Sequence, residues 1–241
     1  MFNNQRSQSA GSKSDFFRAV SGAQVENAVA AESVDVRAKF VSAVYGLLTI
    51  SIISAIAGAW LSAATDVKTW VFQNWLLMLI LYIGAVIGVY ALRHKKPINM
   101  LMLYGFTFIT GLWIGPVAYM FPGATLNAGI TTAVIFTGLT IYARTTKRDF
   151  SFMRGFLTTG LIAIIVMILL NMFFFQSSAL SFGISVAGVL IFSGFILYDT
   201  QMIMRRYPTN EYISATLSLY LDILNLFWFL LNIFISLSSN E

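Results

Sequence analysis

Cysteine is absent from this chain, and charged residues are scarce. Without cysteine the protein has no disulfide bridges, no cysteine-ligated metal sites and no thiol nucleophile. Charged side chains make up 10% of the 241 residues, whereas a soluble domain carries about 25%. The polar surface is therefore too limited to keep a fold of this length in water, and the sequence predicts a polytopic membrane protein.

Motifs of the common enzyme classes are also missing from the sequence. It contains no nucleotide-binding Walker pattern, no GxSxG nucleophile elbow, no HExxH zinc motif and no dinucleotide fingerprint. We therefore expect no enzymatic activity and no bound cofactor.

What the chain does contain is hydrophobic sequence, at 58% of its residues. About 20 helical residues cross the hydrocarbon core of a bilayer, and seven apolar runs reach that length. Their predicted bounds are 40–62, 71–92, 98–120, 125–143, 156–175, 179–203 and 212–236. These runs are far longer than the alternating segments of about 10 residues that form membrane barrels. The predicted fold is therefore an all-α membrane protein with seven transmembrane helices.

The polar ends of the chain lie outside this helical region. Residues 1–39 are rich in Ser, Asn, Gln and Gly, a composition that buries too little apolar surface to fold alone. We predict a flexible cytoplasmic amino-terminal tail over 1–39, a seven-helix transmembrane domain over 40–236 and a short carboxyl-terminal tail over 237–241. A short helix leading into the membrane is an alternative for the segment "VENAVAAESVDVRAKF".

The basic residues indicate how the helices are oriented. Lys and Arg are retained on the cytoplasmic side of a membrane, and fourteen of the fifteen lie on one predicted side, with only Lys68 on the other. The amino terminus is therefore predicted inside and, with seven spans, the carboxyl terminus outside. Since the net charge of +5 follows this topological arrangement, we expect no nucleic-acid partner.

Two acidic residues, Asp199 and Asp222, lie inside the predicted sixth and seventh spans. Helical rise places Asp199 ~9 Å and Asp222 ~15 Å from the cytoplasmic side. Because these spans are antiparallel neighbours joined by a short loop, the two acids should meet in the cytoplasmic half of the bundle. Intramembrane acids are costly and by default mark functional sites. The alternative is that each only accepts hydrogen bonds from neighbouring helices.

A carboxylate pair in this position would respond to protons. Two carboxylates in a low dielectric do not both ionise easily, so the pair would share one proton. When both are ionised, the pair would form a cation site. The sequence therefore predicts Asp199 and Asp222 as proton-sensing, ion-gating residues and as candidate Ca²⁺ ligands.

The seventh span carries further polar residues along one face. Ser218, Asp222, Asn225 and Asn232 follow at steps of four, three and seven residues, which places them on one side of a helix. Such a stripe faces the bundle interior, so the seventh helix is predicted to be central. At the end of the second span, Arg93 is a candidate latch to one aspartate; the alternative is that it only anchors the span at the interface.

The connection "FQSSAL" between the fifth and sixth spans is the tightest of the predicted breaks. Asn171 lies just before it, near the outer end of the fifth span. A polar side chain at that depth is predicted to donate a hydrogen bond between helices.

The two acid-bearing segments together resemble a known family. "LYDTQ" at 197–201 and "LSLYLDILNLF" at 217–227 are similar to the signature of the transmembrane Bax-inhibitor motif family, and "TKRDFSF" before the fifth span resembles that family's fourth-to-fifth loop. The similarity covers the layout of all seven spans and is most specific in residues 194–234.

The resemblance implies a seven-helix fold with the last helix at the centre of the bundle. It implies a pH-sensitive calcium leak channel, with Asp199 and Asp222 as the sensor and an arginine of the second helix, here Arg93, as the latch. The chain resembles bacterial-type members, which implies the inner membrane of a bacterium. Bacterial members are described as partners or substrates of a membrane-bound AAA protease, and eukaryotic members as suppressors of cell death.

Three functions are open at this point. The first is a proton-gated cation leak, with Ca²⁺ as the favoured ion and Asp199 and Asp222 as the gate. The second is a binding role without transport, as a regulator of a membrane-bound AAA protease, for which the charged tail over 1–39 would be suited.

The third is an intramembrane aspartyl protease, in which two carboxylates share one proton during peptide hydrolysis. Tyr198-Asp199 resembles the first motif of those enzymes. Their second motif is Gly-x-Gly-Asp, and this chain has Leu219-Tyr220-Leu221-Asp222 in its place. Bulky residues there would obstruct the approach of a substrate backbone.

Overall fold

The fold is a bundle of long helices, seen in a computed structural model that describes residues 34–238. Helices are the only regular elements within that range: α1 Val34–Ala64, α2 Val67–Gln73, α3 Trp75–Leu92, α4 Ile98–Met120, α5 Pro122–Thr145, α6 Met153–Leu170, α7 Ser178–Arg205 and α8 Tyr212–Ser238. A π-helical turn, Asn171–Phe175, extends α6. Seven of these helices, all except the short α2, are long and apolar enough to cross a membrane. The prediction of an all-α protein with seven membrane-spanning helices is confirmed.

The first helix begins earlier than its predicted span. It starts at Val34 rather than at residue 40, so residues 34–39 belong to α1. Arg37 fixes this first part, since its guanidinium donates a hydrogen bond of 2.6 Å to the carbonyl of Tyr207. The rest of the predicted amino-terminal tail, with its suggested role in protease binding, lies outside the described residues, as do residues 239–241.

Helices α1 and α4 approach each other through glycine. A Cβ atom at Gly111 would overlap the carbonyl of Ala55, and one at Gly58 would overlap the carbonyl of Phe108. Small residues of this kind let two helix backbones come into direct contact, which is how helices pack where the surrounding lipid gives no hydrophobic driving force. The backbones of α1 and α4 are therefore in direct contact at these glycines, where there is no room for a side chain.

Helix α8 lies in the interior of the bundle. It packs against α1, α4, α5 and α7, and twelve of its residues are buried. The residues of α8 join two hydrophobic clusters, one around Leu217 and Leu219 and one around Leu226 and Leu230. Helix α6, by contrast, packs chiefly against α7.

The connection between α6 and α7 is held by Asn171. Its Nδ2 donates to the Ser181 hydroxyl at 2.7 Å and to the Ser177 carbonyl at 3.2 Å, while its Oδ1 accepts from the Ser177 amide at 2.9 Å. The break between the helices is sharp because Gln176 adopts a left-handed conformation, with φ of 46°. The predicted interhelical hydrogen bond of Asn171 is confirmed.

The two ends of the bundle differ in composition. At the basic end, α1, α4, α6 and α8 begin and α3, α5 and α7 end. The helix ends and connections there carry eleven of the twelve Lys and Arg residues within 34–238. The opposite, tryptophan end exposes Trp60, Trp70 and Trp75, as an aromatic belt at a membrane interface would. The positive-inside rule predicts that the basic end faces the cytoplasm.

Candidate functional site

A cavity of about 680 Å³ lies between α6, α7 and α8 at the basic end of the bundle. It extends from the α7–α8 connection at Tyr207 inward to Phe229. Its inner half is apolar, with Ile164 and Phe192 among the lining residues. Polar and charged side chains line the rest: Arg154, Asp199, Arg206, Ser218, Asp222 and Asn225.

The structure brings the two intramembrane acids together in this cavity. Asp199 on α7 is half-buried and Asp222 on α8 is only 6% exposed. Their carboxyl groups are close enough to interact through a side-chain hydrogen bond. Within residues 34–238, Asp222 Oδ2 has no hydrogen-bond partner. The pair thus combines burial, mutual contact and unused hydrogen-bonding capacity, and this combination favours sharing of a proton.

The predicted polar stripe of α8 reaches the cavity in part. Ser218 and Asn225 line it beside Asp222. Asn232 does not, and its amide donates instead to the Trp228 carbonyl of its own helix at 2.8 Å. The reason is depth: Asn232 lies ~15 Å beyond Asp222 along the helix, whereas Phe229 already closes the cavity.

Arg93 contacts neither aspartate. Its Nε lies 3.1 Å from Oε2 of Glu211, and its Nη1 donates to the Tyr90 carbonyl at 2.7 Å. His94 also approaches Glu211, at 3.1 Å. The predicted latch contact is therefore not present, because Glu211 precedes α8 at the basic end and meets Arg93 before it can reach the cavity.

The cations that line the cavity come from elsewhere in the chain. Arg154, in the first turn of α6, interacts electrostatically with Asp199. Arg206, just after α7, is bound at 2.8 Å to Asp149. Sequence reasoning had no basis for separating these two from the residues that set topology, because only the packing of α6 onto α7 turns Arg154 toward the acids.

A buried glutamine joins the loop before α6 to the end of α7 through hydrogen bonds. Gln201, 1% exposed, accepts the Phe150 amide at 2.7 Å through Oε1 and donates to the Arg148 carbonyl at 2.7 Å through Nε2. Arg205 adds a hydrogen bond of 2.7 Å to the Thr146 carbonyl. The segments "TKRDFSF" and "LYDTQ" are thus in direct contact, which sequence reasoning did not foresee. The sequence signal for this contact is an amide side chain, Gln201, two positions after the intramembrane Asp199.

Two titratable groups outside the spans border this region. The Ser151 amide, donating at 2.9 Å, holds the pKa of Asp149 below its usual value, with further contributions from Arg206 and Arg205. Burial raises the pKa of Tyr207 to about 12. Asp149 therefore keeps its charge, and its contact with Arg206, at acid pH values that would protonate an ordinary carboxylate, and Tyr207 stays neutral.

Comparison with known proteins identifies the family. The family model described as "Inhibitor of apoptosis-promoting Bax1" matches residues 37–240. The chain belongs to the Bax inhibitor family. It is 33% identical over 208 residues to Protein lifeguard 4 of Mus musculus, covering 84% of this chain and 87% of that protein. An uncharacterized membrane protein of Vibrio cholerae is 38% identical over 207 residues (82% and 89%), and Bax inhibitor 1 of Schizosaccharomyces pombe is 31% identical over 211 residues (86% and 79%).

Gln201 of this Bax inhibitor family member is expected to be important for stability. Gln201→Leu would leave the buried Phe150 amide and the Arg148 carbonyl without partners, at about 1–3 kcal/mol for each unsatisfied group. We expect a lower unfolding midpoint in detergent and faster tryptic cleavage after Lys147 and Arg148. Gln73→Leu, at an exposed position at the end of α2, serves as the matched control and should change neither. Equal stability of the two variants would show that the loop is held without Gln201.

Proposed function

We propose that this Bax inhibitor family member forms a pH-sensitive leak pathway for cations, Ca²⁺ foremost. The observation that carries the proposal is the cavity in which Asp199 and Asp222, from two different helices, meet beside Ser218 and Asn225. Intramembrane acids facing a cavity mark ion or proton pathways in membrane proteins. The relatives' names speak of inhibition of Bax and of lifeguard proteins; they do not describe transport.

Protons would act on the contact between α7 and α8. While the pair holds one proton, a hydrogen bond links Asp199 to Asp222 and thus links their helices. Loss of that proton leaves two anions that repel each other strongly in a low dielectric and attract a divalent cation. Within residues 34–238, the other charged and titratable groups that face the pair are Arg154 on α6, Arg206 and Tyr207 beyond α7, and Tyr198.

Arg154 takes the role that the sequence assigns to Arg93. It lines the same cavity as the pair and interacts with Asp199, so it can balance the charge of that carboxylate. When both are ionised, one arginine no longer neutralises the site. The proposed gate is therefore made of Asp199, Asp222 and Arg154.

The site suits a passing cation better than a resident one. Among residues 34–238, no group of three or more His, Asp or Glu side chains is arranged to hold a metal ion. Ca²⁺ takes about 6–8 oxygen ligands, and the two carboxylates with the oxygens of Ser218 and Asn225 supply fewer. Water would complete the shell, as expected for an ion in transit.

Flux measurements on the purified protein in liposomes test the proposal. With an entrapped Ca²⁺ indicator, we expect a protein-dependent leak that rises between about pH 5 and about pH 8 as the shared proton is lost. Empty liposomes give the background at each pH. A protein that is folded but silent over this range would contradict the proposal and favour the binding role toward a membrane-bound AAA protease.

The proposed pathway also has a location and a direction. We place the chain in the inner membrane of a bacterium, which is supported by its identity to the membrane protein of Vibrio cholerae. The positive-inside rule then places the aspartate cavity toward the cytoplasm. On that basis the pair would sense cytoplasmic pH.

A further inference from the structure

Two cavities border neighbouring faces of α8. The first is the aspartate cavity between α6, α7 and α8. The second, of about 210 Å³, lies between α3, α4 and α8 and is lined by Tyr82, Thr110 and Trp113, among others. Among the residues that the structure describes, Asn225 alone lines both cavities.

Asn225 lies at the midpoint of α8. The helix runs from Tyr212 to Ser238, so ~20 Å of helix extends on either side of it. A polar side chain at the centre of a span is costly unless a partner or a function retains it. Its Nδ2 donates to the Leu221 carbonyl of its own helix at 2.7 Å, which uses one of the two amide N–H groups and leaves the side-chain carbonyl oxygen for another partner.

The surroundings of Asn225 change from one cavity to the other. On the side of α6 and α7, the lining includes Asp222 one turn away. On the side of α3 and α4 it is largely aromatic, with Tyr82 and Trp113 packed edge to face at 5.5 Å. Thr110 adds a hydroxyl there, bonded to the hydroxyl of Tyr220. An oxygen ligand at the junction is of the type that Ca²⁺ prefers.

We propose that Asn225 is the barrier between two halves of the leak path and that its amide oxygen binds the cation as it passes from one cavity to the other. This inference rests on the proposed function, since it gives the route that follows the aspartate gate. Separation of the two aspartates releases α8 from α7, and a small rotation of α8 about its axis then joins the cavities at Asn225. In the closed state the side chain keeps them apart.

The absence of cysteine from the chain makes this inference directly testable. Asn225→Cys introduces a single thiol, which a membrane-impermeant cationic thiosulfonate can label in proteoliposomes. Because cysteine lacks the amide oxygen, this variant should leak less than the wild type. We expect labelling from the basic end and loss of the remaining leak after labelling. Thiolate formation alone speeds the labelling of any thiol at higher pH, so the sign of the opening gate is a rise in labelling rate from about pH 5 to about pH 8 that exceeds the rise for Asn232→Cys. Asn232→Cys, on the same helix but lining neither cavity, is the matched control, and its labelling should leave the leak unchanged.

A second set of variants separates ion binding from packing. Asn225→Leu keeps the size of the side chain and removes its oxygen, and should lower the leak by about tenfold or more because the cation loses a ligand in a low-dielectric passage. Asn225→Ser keeps an oxygen and should retain most of the leak. Size-exclusion profiles confirm that each variant is folded. Equal leaks through the Leu and Ser variants would overturn the assignment of the oxygen.

The outcomes distinguish this inference from the proposed function. If the wild type leaks but the Asn225→Cys variant is labelled from neither face, or its labelling leaves the leak intact, Asn225 is not on the path although the leak is real. If the wild type does not leak at any pH, the proposed function itself fails, and the inference with it. A leak that labelling abolishes in Asn225→Cys and leaves unchanged in Asn232→Cys would support both.

Discussion

Asp222→Asn is expected to abolish the pH dependence of the leak and to hold it at its low, acid level at every pH. An asparagine amide has the size of a protonated carboxyl group and, like it, donates a hydrogen bond. It would therefore maintain the link from α8 to Asp199 on α7 when the wild-type pair has lost its proton. The repulsion that opens the path cannot develop, because only one carboxylate remains.

The size of this effect follows from proton binding. The ionised fraction of a shared-proton pair can change by up to about tenfold per pH unit, so the wild-type leak should vary severalfold or more across the range tested. The leak through Asp222→Asn should be nearly constant over the same range. Asp199→Asn should behave alike, and the double variant should add little, because residues that act as one unit are not additive.

Asp35→Asn provides the control for this experiment. It removes one exposed carboxylate from the same end of the bundle, in the first turn of α1, where it lines neither cavity. Its leak should titrate as the wild type does. If Asp222→Asn also titrates as the wild type does, the aspartate pair is not the proton sensor.

Gly111→Ala is expected to destabilise the protein more than a methyl group usually does. The added Cβ would overlap the Ala55 carbonyl, and this atom belongs to the backbone of α1, so no rotamer change can make room. The two helices must separate along their contact. Overpacking of a fitted core costs about 1–3 kcal/mol, and loss of the α1–α4 contact places this variant at the upper end.

Gly105→Ala is the matched control on the same helix. A Cβ there meets no atom within 4 Å, while the gain in helix propensity of up to about 1 kcal/mol is common to both variants. Unfolding in mixed detergent micelles should therefore show Gly105→Ala as stable as the wild type or more so, and Gly111→Ala as clearly weaker. Equal stability of the two would mean that α1 and α4 are not in backbone contact.

The number of spans and the meeting of the two acids could be predicted from the sequence for simple physical reasons. A hydrophobic run of about 20 residues has one stable arrangement in a bilayer. Asp199 and Asp222 lie at similar distances from one short connection, so helical rise alone brings them to similar depth. The interior position of α8 follows in the same way from its polar stripe.

The partners of the aspartates could not be predicted in this way. Which cation faces them depends on how α6 packs against α7, and a hydropathy pattern does not contain that packing. Arg93 and Arg154 are both arginines next to the end of a span. Arg93 nevertheless forms an ion pair with Glu211, whereas Arg154 lines the aspartate cavity. The role of Gln201 could not be predicted, because its two partners are backbone groups of a loop about 50 residues away in sequence. Every residue carries such backbone groups, so they leave no signature in a single sequence.

Hydrogen bonds connect α6 to α7 at both ends, and this affects how the bundle assembles. Asn171 joins these helices at the tryptophan end, and Gln201 joins them at the basic end. The donors and acceptors of these hydrogen bonds all lie between residues 148 and 201. Helices α6 and α7 can therefore form them without the rest of the chain and can enter the membrane as one preformed hairpin. The aspartate cavity then lies at the interface where this hairpin packs against α8. At that interface the hairpin and α8 can separate while the hydrogen bonds of Asn171 and Gln201 inside the hairpin stay intact.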